Sequence, residues 1–326
     1  MASGITHILL MKCLDDKIDN TRLKNILASS IDFLQVGAIA PDLPYASIAD
    51  KDFFFTTQSE LANKFHYEAT NEIPLRALRM LKKRKNSLPK KTLRYMFSFY
   101  IGYISHLIAD GIIHPFVRDM VGDYKENQTA HRKLEMELDV LFFNYITRFS
   151  GHPIELNYSN IHDELINFYA DFYPETKAVV ESFSKLIYEV YKWDCPPDKI
   201  LSWVKGLHRM FGVAEGDHPA IYKNVGFVSD FLFSNYDELV HKYDDIITLT
   251  KPVDRLENFL KKPKVHFFDD CIPQFYNKFI PVLNKSYQYV FNSGHEPTAA
   301  DISRIDFDTG RDLANKDLNN IPSYWT

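Results

Sequence analysis

Disulfide chemistry has little to work with in this chain. Its 326 residues hold three cysteines, Cys13, Cys195 and Cys271, and no CxxC pair. So odd and sparse a set excludes a disulfide framework and reads as buried, reduced thiols of a cytoplasmic protein. Glycine is scarce at 12 residues, and alternating β-branched runs are few. Helical periodicity of about 3.6 residues dominates instead, so the expected class is all-α. Charge of one sign is missing too: a net charge of −5 gives no global pull toward nucleic acid. The opening MASGITHILLMKCL has no basic n-region, and His7 and Lys12 cut its apolar run. It therefore reads as neither a signal peptide nor a membrane span, and Ala2 excludes myristoylation. There is no P-loop, no GxSxG, no Ser–His–Asp order, no internal repeat and no Gly/Ser linker.

What is present is a large apolar store, 45% hydrophobic and 14% aromatic. The pattern predicts a short helix near residue 5, a helix over 20–36 capped by Asn20 or Thr21, and a Pro-punctuated loop over 37–52. A helix carrying His66 is expected to run toward residue 80, interrupted near Pro74. A very apolar helix over 93–117 should be central; its His, Asp and Ser residues argue against a membrane span. Asn127 or Thr129 opens the next helix, to about 149. Further helices are expected over 161–173, 175–193, 198–211, 228–249 and 267–291, with an irregular polar tail from about 292. Residues 1–150 read as the metal-binding core, and 151–326 as a helical continuation of the same body that walls it.

The chemistry lies in two rows. SHLIADGIIHPF places His106, Asp110 and His114 four apart, and HRKLEMELD places His131, Glu135 and Asp139 at the same spacing. Residues four apart on a helix sit nearly above one another, so each row aims several donors at one place. Upstream lie His7 in GITHILL, Asp42 in GAIAPDLPY and His66 in NKFHYEA. Singly, each has an ordinary explanation: a hydrogen-bonded core histidine, or a turn aspartate after Pro41. Jointly they do not, because burying so many ionisable groups on apolar helices is costly without compensation. Bound divalent ions provide it, and imidazole and carboxylate are zinc's ligands in open, catalytic sites.

The order His, PD, His, HxxxDxxxH, HxxxE over residues 1–140 resembles the zinc-dependent phospholipase C family. GITHILL, GAIAPDLPY and YISHLIADGIIHPF look closest to the N-terminal catalytic domain of its glycosylphosphatidylinositol-specific phospholipase D members. The resemblance implies a multi-helix phospholipase C or single-strand nuclease-like bundle around two or three zinc ions, or other divalent metals. By it, Asp42, His66 and His106 hold one ion and Asp110 bridges. His7 and Asp110 serve its neighbour, and His114, His131 and Glu135 the remaining one. It further implies a phosphodiester hydrolase using a zinc-activated hydroxide, with Asp42 as ligand and base, acting on phospholipid. The secreted members use their α-amino group as an additional ligand; here that group lies several residues before His7. Asp139 falls outside the motif and reads as an orienter of a histidine or a surface residue.

Competing readings are a nuclease or small-molecule phosphoesterase on the same metals, and a non-catalytic, zinc-stabilised binding protein. Nine Lys/Arg crowd residues 76–94. They read either as a basic lip for a membrane surface, or less readily nucleic acid, or as a solvated helix end. Tyr45, Phe53, Phe54 and Phe55 either line a headgroup pocket or pack in the core.

Overall fold

The computed structural model describes residues 4–49, 57–148, 164–169, 174–215, 239 and 267–314. These are mostly helical, with no strand among them beyond one isolated bridge, Ile305 to Asp312. Helix α1 spans Gly4–Lys12. The expected helix over 20–36 is two: α2, Thr21–Ala28, and α3, Ile31–Ala38. Asn20 caps α2 by accepting the Leu23 N–H at 3.0 Å. The break comes at Ser29 and Ser30, whose hydroxyls both donate to the Ile26 carbonyl, while Ser30 also meets the Ser98 hydroxyl at 2.6 Å. Serine hydroxyls offer the backbone this alternative to a continuous helix.

The stretch expected to be a loop is instead a 3₁₀ run, Ala40–Ala49. Pro41 and Pro44, one 3₁₀ turn apart, have the fixed φ such a turn takes. Helix α4, Thr57–Tyr67, stops where Ala69 adopts a left-handed φ of 48°. A separate α5, Glu72–Arg84, then carries Pro74 in its first turn, where a missing N–H is harmless.

Helix α6, Lys90–Val121, is the axis of the fold and extends beyond the expected 93–117 at both ends. It is long and apolar enough to cross a membrane, but its apolar window is entirely buried inside the protein. Helix α3 crosses it at very short range. A Cβ at Gly37 would lie 2.0 Å from the Phe99 carbonyl oxygen, and one at Gly102 2.1 Å from that of Leu34. Two glycines thus allow backbone-to-backbone contact, which seats the end of α3 beside the ligand row on α6.

Helix α7 spans Gln128–Arg148, α8 Pro174–Tyr191, α9 Pro197–Glu215 and α10 Ile272–Phe291, the last preceded by a π turn over Phe267–Cys271. Residues 164–169 are also helical. The helix expected over 228–249 lies outside the described residues, apart from Leu239. Helices α8 and α10 both pack on α6. Two lysines of the basic run, at the end of α5, dock α10. Lys82 donates to the carbonyls of Tyr289 and Asn292 at 2.7 Å each, and Lys85 to that of Phe291. Ammonium groups on a helix's last carbonyls are favoured by its dipole. Arg76 pairs with Glu72 and Arg79 with Glu296. Lys83, Arg84, Lys90, Lys91 and Arg94 remain exposed.

The tail from 292 is irregular, as expected, but it returns across the α4–α5 junction and α6. Thr70 Oγ1 and Asn71 Nδ2 donate to the carbonyls of Ile305 and Ile302, both at 2.8 Å, and the Phe307 N–H donates to the His66 carbonyl at 3.2 Å. Gly310, with φ 65°, lies against Gly111 so closely that a Cβ there would be 2.4 Å from the Gly111 oxygen.

Candidate metal centre

Five elements deliver eight side chains to one buried place. Helix α1 contributes His7, the 3₁₀ run Asp42, α4 His66, α6 His106, Asp110 and His114, and α7 His131 and Glu135. His106 is 0% exposed and Asp110 1%. All eight residues expected from the sequence are therefore brought together.

Asp110 divides the cluster. Its Oδ2 lies 3.0 Å from His106 Nε2 and 3.7 Å from His66 Nε2, while Asp42 Oδ1 lies 3.1 Å from the same His66 nitrogen. Its Oδ1 faces the other way, 3.0 Å from His7 Nε2 and 3.6 Å from His114 Nε2. Glu135 Oε1 is 3.1 Å from His114 Nε2 and 3.4 Å from His131 Nε2. Donor atoms fall into three sets, each within 4.8 Å: His7, His106 and Asp110; Asp42, His66 and His106; His114, His131 and Glu135. Two donors on one tetrahedral zinc, at bonds near 2.0–2.1 Å, are roughly 3.3 Å apart, and the spacings here cluster around that edge.

The tautomers sharpen this fit. His106 Nδ1 lies 2.8 Å from the Ala38 carbonyl and His66 Nδ1 2.7 Å from that of Ala62. A carbonyl only accepts, so each Nδ1 carries a proton, and in the neutral ring it is the Nε2 lone pair that faces inward. Burial lowers the His106 pKa, against the pull of Asp110. Hence a lone pair at His106 Nε2 faces a carboxylate oxygen 3.0 Å away, an arrangement that needs a cation between them. Both oxygens of Asp42 and Asp110, and Nε2 of His106, His114 and His131, are buried with no hydrogen-bond partner among the described residues. The donor set fits zinc.

The same proximity sets the charges of the metal-free cluster. Burial pushes the carboxyls of Asp42 and Asp110 up, but the imidazoles of His106 and its neighbours outweigh it and hold both below the usual range. Glu135 is likewise held down by His131 and His114 against its burial. For His7, burial is outweighed by Asp110 and the pKa rises. His114 rises to about 10, because Asp110 and Glu135 overcome burial.

Asp139 is buried and not a surface residue. Its carboxylate accepts the N–H groups of Ile5 and Thr6, at 3.4 and 2.5 Å, and the Thr6 hydroxyl at 2.7 Å. It caps the N-terminus of α1 and so places the next residue, His7.

Around the cluster stand residues the sequence reading did not single out. Tyr67 and Tyr124 flank it with Tyr45: ring centroids are 6.1 Å for His66–Tyr67, 5.0 Å for Tyr124–His131 and 5.8 Å for Tyr45–His66. The tail adds Phe307, with its ring 5.0 Å from His66 and 5.8 Å from His106. It also adds Asp308, 3.7 Å from Arg118 Nε. Burial raises the Asp308 carboxyl despite the nearby His114 and His131. The tyrosines had a signal, each lying near a ligand in sequence; the tail had none. Phe53, Phe54 and Phe55 lie outside the described residues. Tyr45 is half-buried, its hydroxyl donating to Asn63 at 2.9 Å.

A search of curated proteins and one of solved structures give no match. The family model described as zinc dependent phospholipase C matches residues 6–193, a span that contains all eight donors. It supports a metal-dependent, phospholipase-like hydrolase. On that match, covering more than half of its length, the chain belongs to the zinc-dependent phospholipase C family.

Proposed function

We propose that this protein hydrolyses phosphodiesters, phospholipids first among them, with two or three zinc ions held by the eight donors. The observation that carries the reading is the face-off of acceptors: imidazole lone pairs, fixed by carbonyl bonds on the far nitrogens, meet carboxylate oxygens at about 3 Å. Asp42, His66 and His106 would hold one ion, together with Asp110. His7 and Asp110 would hold its neighbour, and His114, His131 and Glu135 a third. Zinc supplies Lewis acidity toward phosphoryl oxygens and a water acidic enough to ionise near pH 7.

The chain's own residues do the rest. Asp42, kept ionised by His106 and His66, is both ligand and proton acceptor for the attacking water. The carbonyls of Ala38 and Ala62 keep two rings from turning. Packed aromatic side chains such as Phe307 keep bulk water from the imidazoles. The three cysteines are unpaired, which fits the reading of a cytoplasmic protein.

The test is metal analysis of protein purified without chelator, followed by assays of phosphatidylcholine, a glycosylated phosphatidylinositol and single-stranded DNA side by side, with Asp42→Asn as control. Turnover of a lipid that Asp42→Asn abolishes at unchanged folding supports the proposal. Preference for DNA moves the protein to the nucleases, and full zinc with no turnover leaves the ions a structural role.

A further inference from the structure

The metals and their ligands account for the reacting phosphorus, but not for the charge the substrate brings with it. A phosphodiester is an anion, and the cluster around the ions is rich in carboxylates. Beside the eight donors stand Asp306 and Asp308 from the tail, both buried. An approaching anion therefore needs a cation that is not consumed by an internal pair.

Arg132 meets that need. It follows the ligand His131 on α7 and is half-buried. Its Nη2 donates to the Tyr124 hydroxyl at 3.4 Å, and the Tyr124 ring packs edge-on against His131 with centroids 5.0 Å apart. Its positive charge also reaches the Tyr45 hydroxyl, which feels Asp42 and Asp110 as well. The guanidinium is thus bonded to one tyrosine and within electrostatic reach of a second, each bordering a metal ligand. No carboxylate pairs with it among the described residues, and its Nε–H is buried without a partner. By contrast, Arg118, the other arginine near the cluster, is engaged by Asp123 at 2.9 Å and by Asp308.

We propose that Arg132 is the positioning residue that receives the anionic phosphodiester, its fork on the two non-bridging oxygens and Tyr124 holding the guanidinium in place. The inference rests on the hydrolase reading above. A planar fork of donors matches two phosphate oxygens, which an ammonium meets only as a point charge. The residue moves no proton and binds no metal. It sets where the anion sits and selects substrates with a charged phosphoryl group over neutral ones.

The test uses the full chain loaded with zinc, and the variants Arg132→Ala, Arg132→Lys and Tyr124→Phe. Two readouts are taken beside zinc content: the dissociation constant of inorganic phosphate by calorimetry, and KM and kcat on bis(p-nitrophenyl) phosphate. The alanine variant is expected to weaken phosphate binding and raise KM by about ten- to a hundredfold, the range of a charge-assisted hydrogen bond. Zinc content and kcat should change little. Lysine should recover part of the loss, and Tyr124→Phe should fall between alanine and wild type. Equal phosphate affinity and equal KM in wild type and Arg132→Ala overturn the assignment. So does a loss that lysine does not ease and that follows zinc content instead. A wild type inactive on diesters sinks the hydrolase reading and with it the role toward a diester, whereas a phosphate affinity that still falls in Arg132→Ala leaves Arg132 an anion-binding residue.

Discussion

The two ends of the metal centre are built differently. At the inner end, around Asp110, two of the histidines have their far nitrogens tied to carbonyls of Ala38 and Ala62, and Asp139 pins the helix that carries His7. At the outer end, His131 Nδ1 is buried with no partner among the described residues, and the side chain of His114 is 11% exposed. An orienting bond on the far nitrogen fixes the ring and strengthens a histidine's hold on metal. The site of His66 and His106 is therefore pre-organised; His7 Nδ1, like His131 Nδ1, has no such partner among the described residues and depends on the Asp139 cap of α1 for its placement.

This contrast can be broken by experiment. Asp110→Asn should do the most damage, since one carboxylate serves both inner sites. Zinc content is expected to drop to at most the outer ion, and diester hydrolysis to fall about a thousandfold, read by elemental analysis and initial rates. Glu135→Gln should act only outside, with the outer ion lost at a chelator concentration about ten- to a hundredfold lower than wild type needs and the inner pair retained. Equal loss from both variants would erase the distinction.

Backbone contact supports the inner end, so Gly102→Ala should destabilise the fold by about 3 kcal/mol, because the Leu34 oxygen cannot retreat from a new methyl group; denaturant midpoints give the value. The metal-free cluster should also show a pH signature. His7 and His114 have raised pKa values, His114 near 10. The stability they add is full below the unfolded histidine value, near 6.5, and is lost as pH climbs toward 10. Chelated protein should lose about 5 °C in Tm over that window, while zinc-loaded protein should not, since metal replaces the protons. The smallest effect sharpens the picture: Asp139→Asn should cost about 1 kcal/mol through the α1 cap, with weaker zinc binding at His7 and none of that loss at Glu135.

The donors were legible because they obey a spacing. His106, Asp110 and His114 repeat at one helical turn, and chain order supplied His7, Asp42 and His66. What spacing does not encode was missed. The Ser29–Ser30 break depends on a hydroxyl partner, Ser98, far along the chain, so an uninterrupted apolar pattern concealed it. The 3₁₀ run over Ala40–Ala49 looked like a loop because its prolines punctuate a helical pattern as well as a turn. Asp139 continued the second row in register, yet its partner is the end of another helix, which only the packing of α1 on α7 reveals. Lys82 and Lys85 of the basic run over 76–94 proved to hold α10, a use that composition cannot announce. Phe307 and Asp308 carry no motif and fall beyond the span that the family model matches.

That returning tail has a consequence for synthesis. Every donor is translated by residue 135, whereas the segment that leans on His66 and Gly111 emerges only after residue 300. A nascent polypeptide on the ribosome thus owns a full ligand set whose flank is still bare. Zinc captured then would be sealed in by this later segment. Ribosome-stalled chains ending before residue 292 should accordingly acquire the metal and surrender it to a chelator far faster than the released protein does.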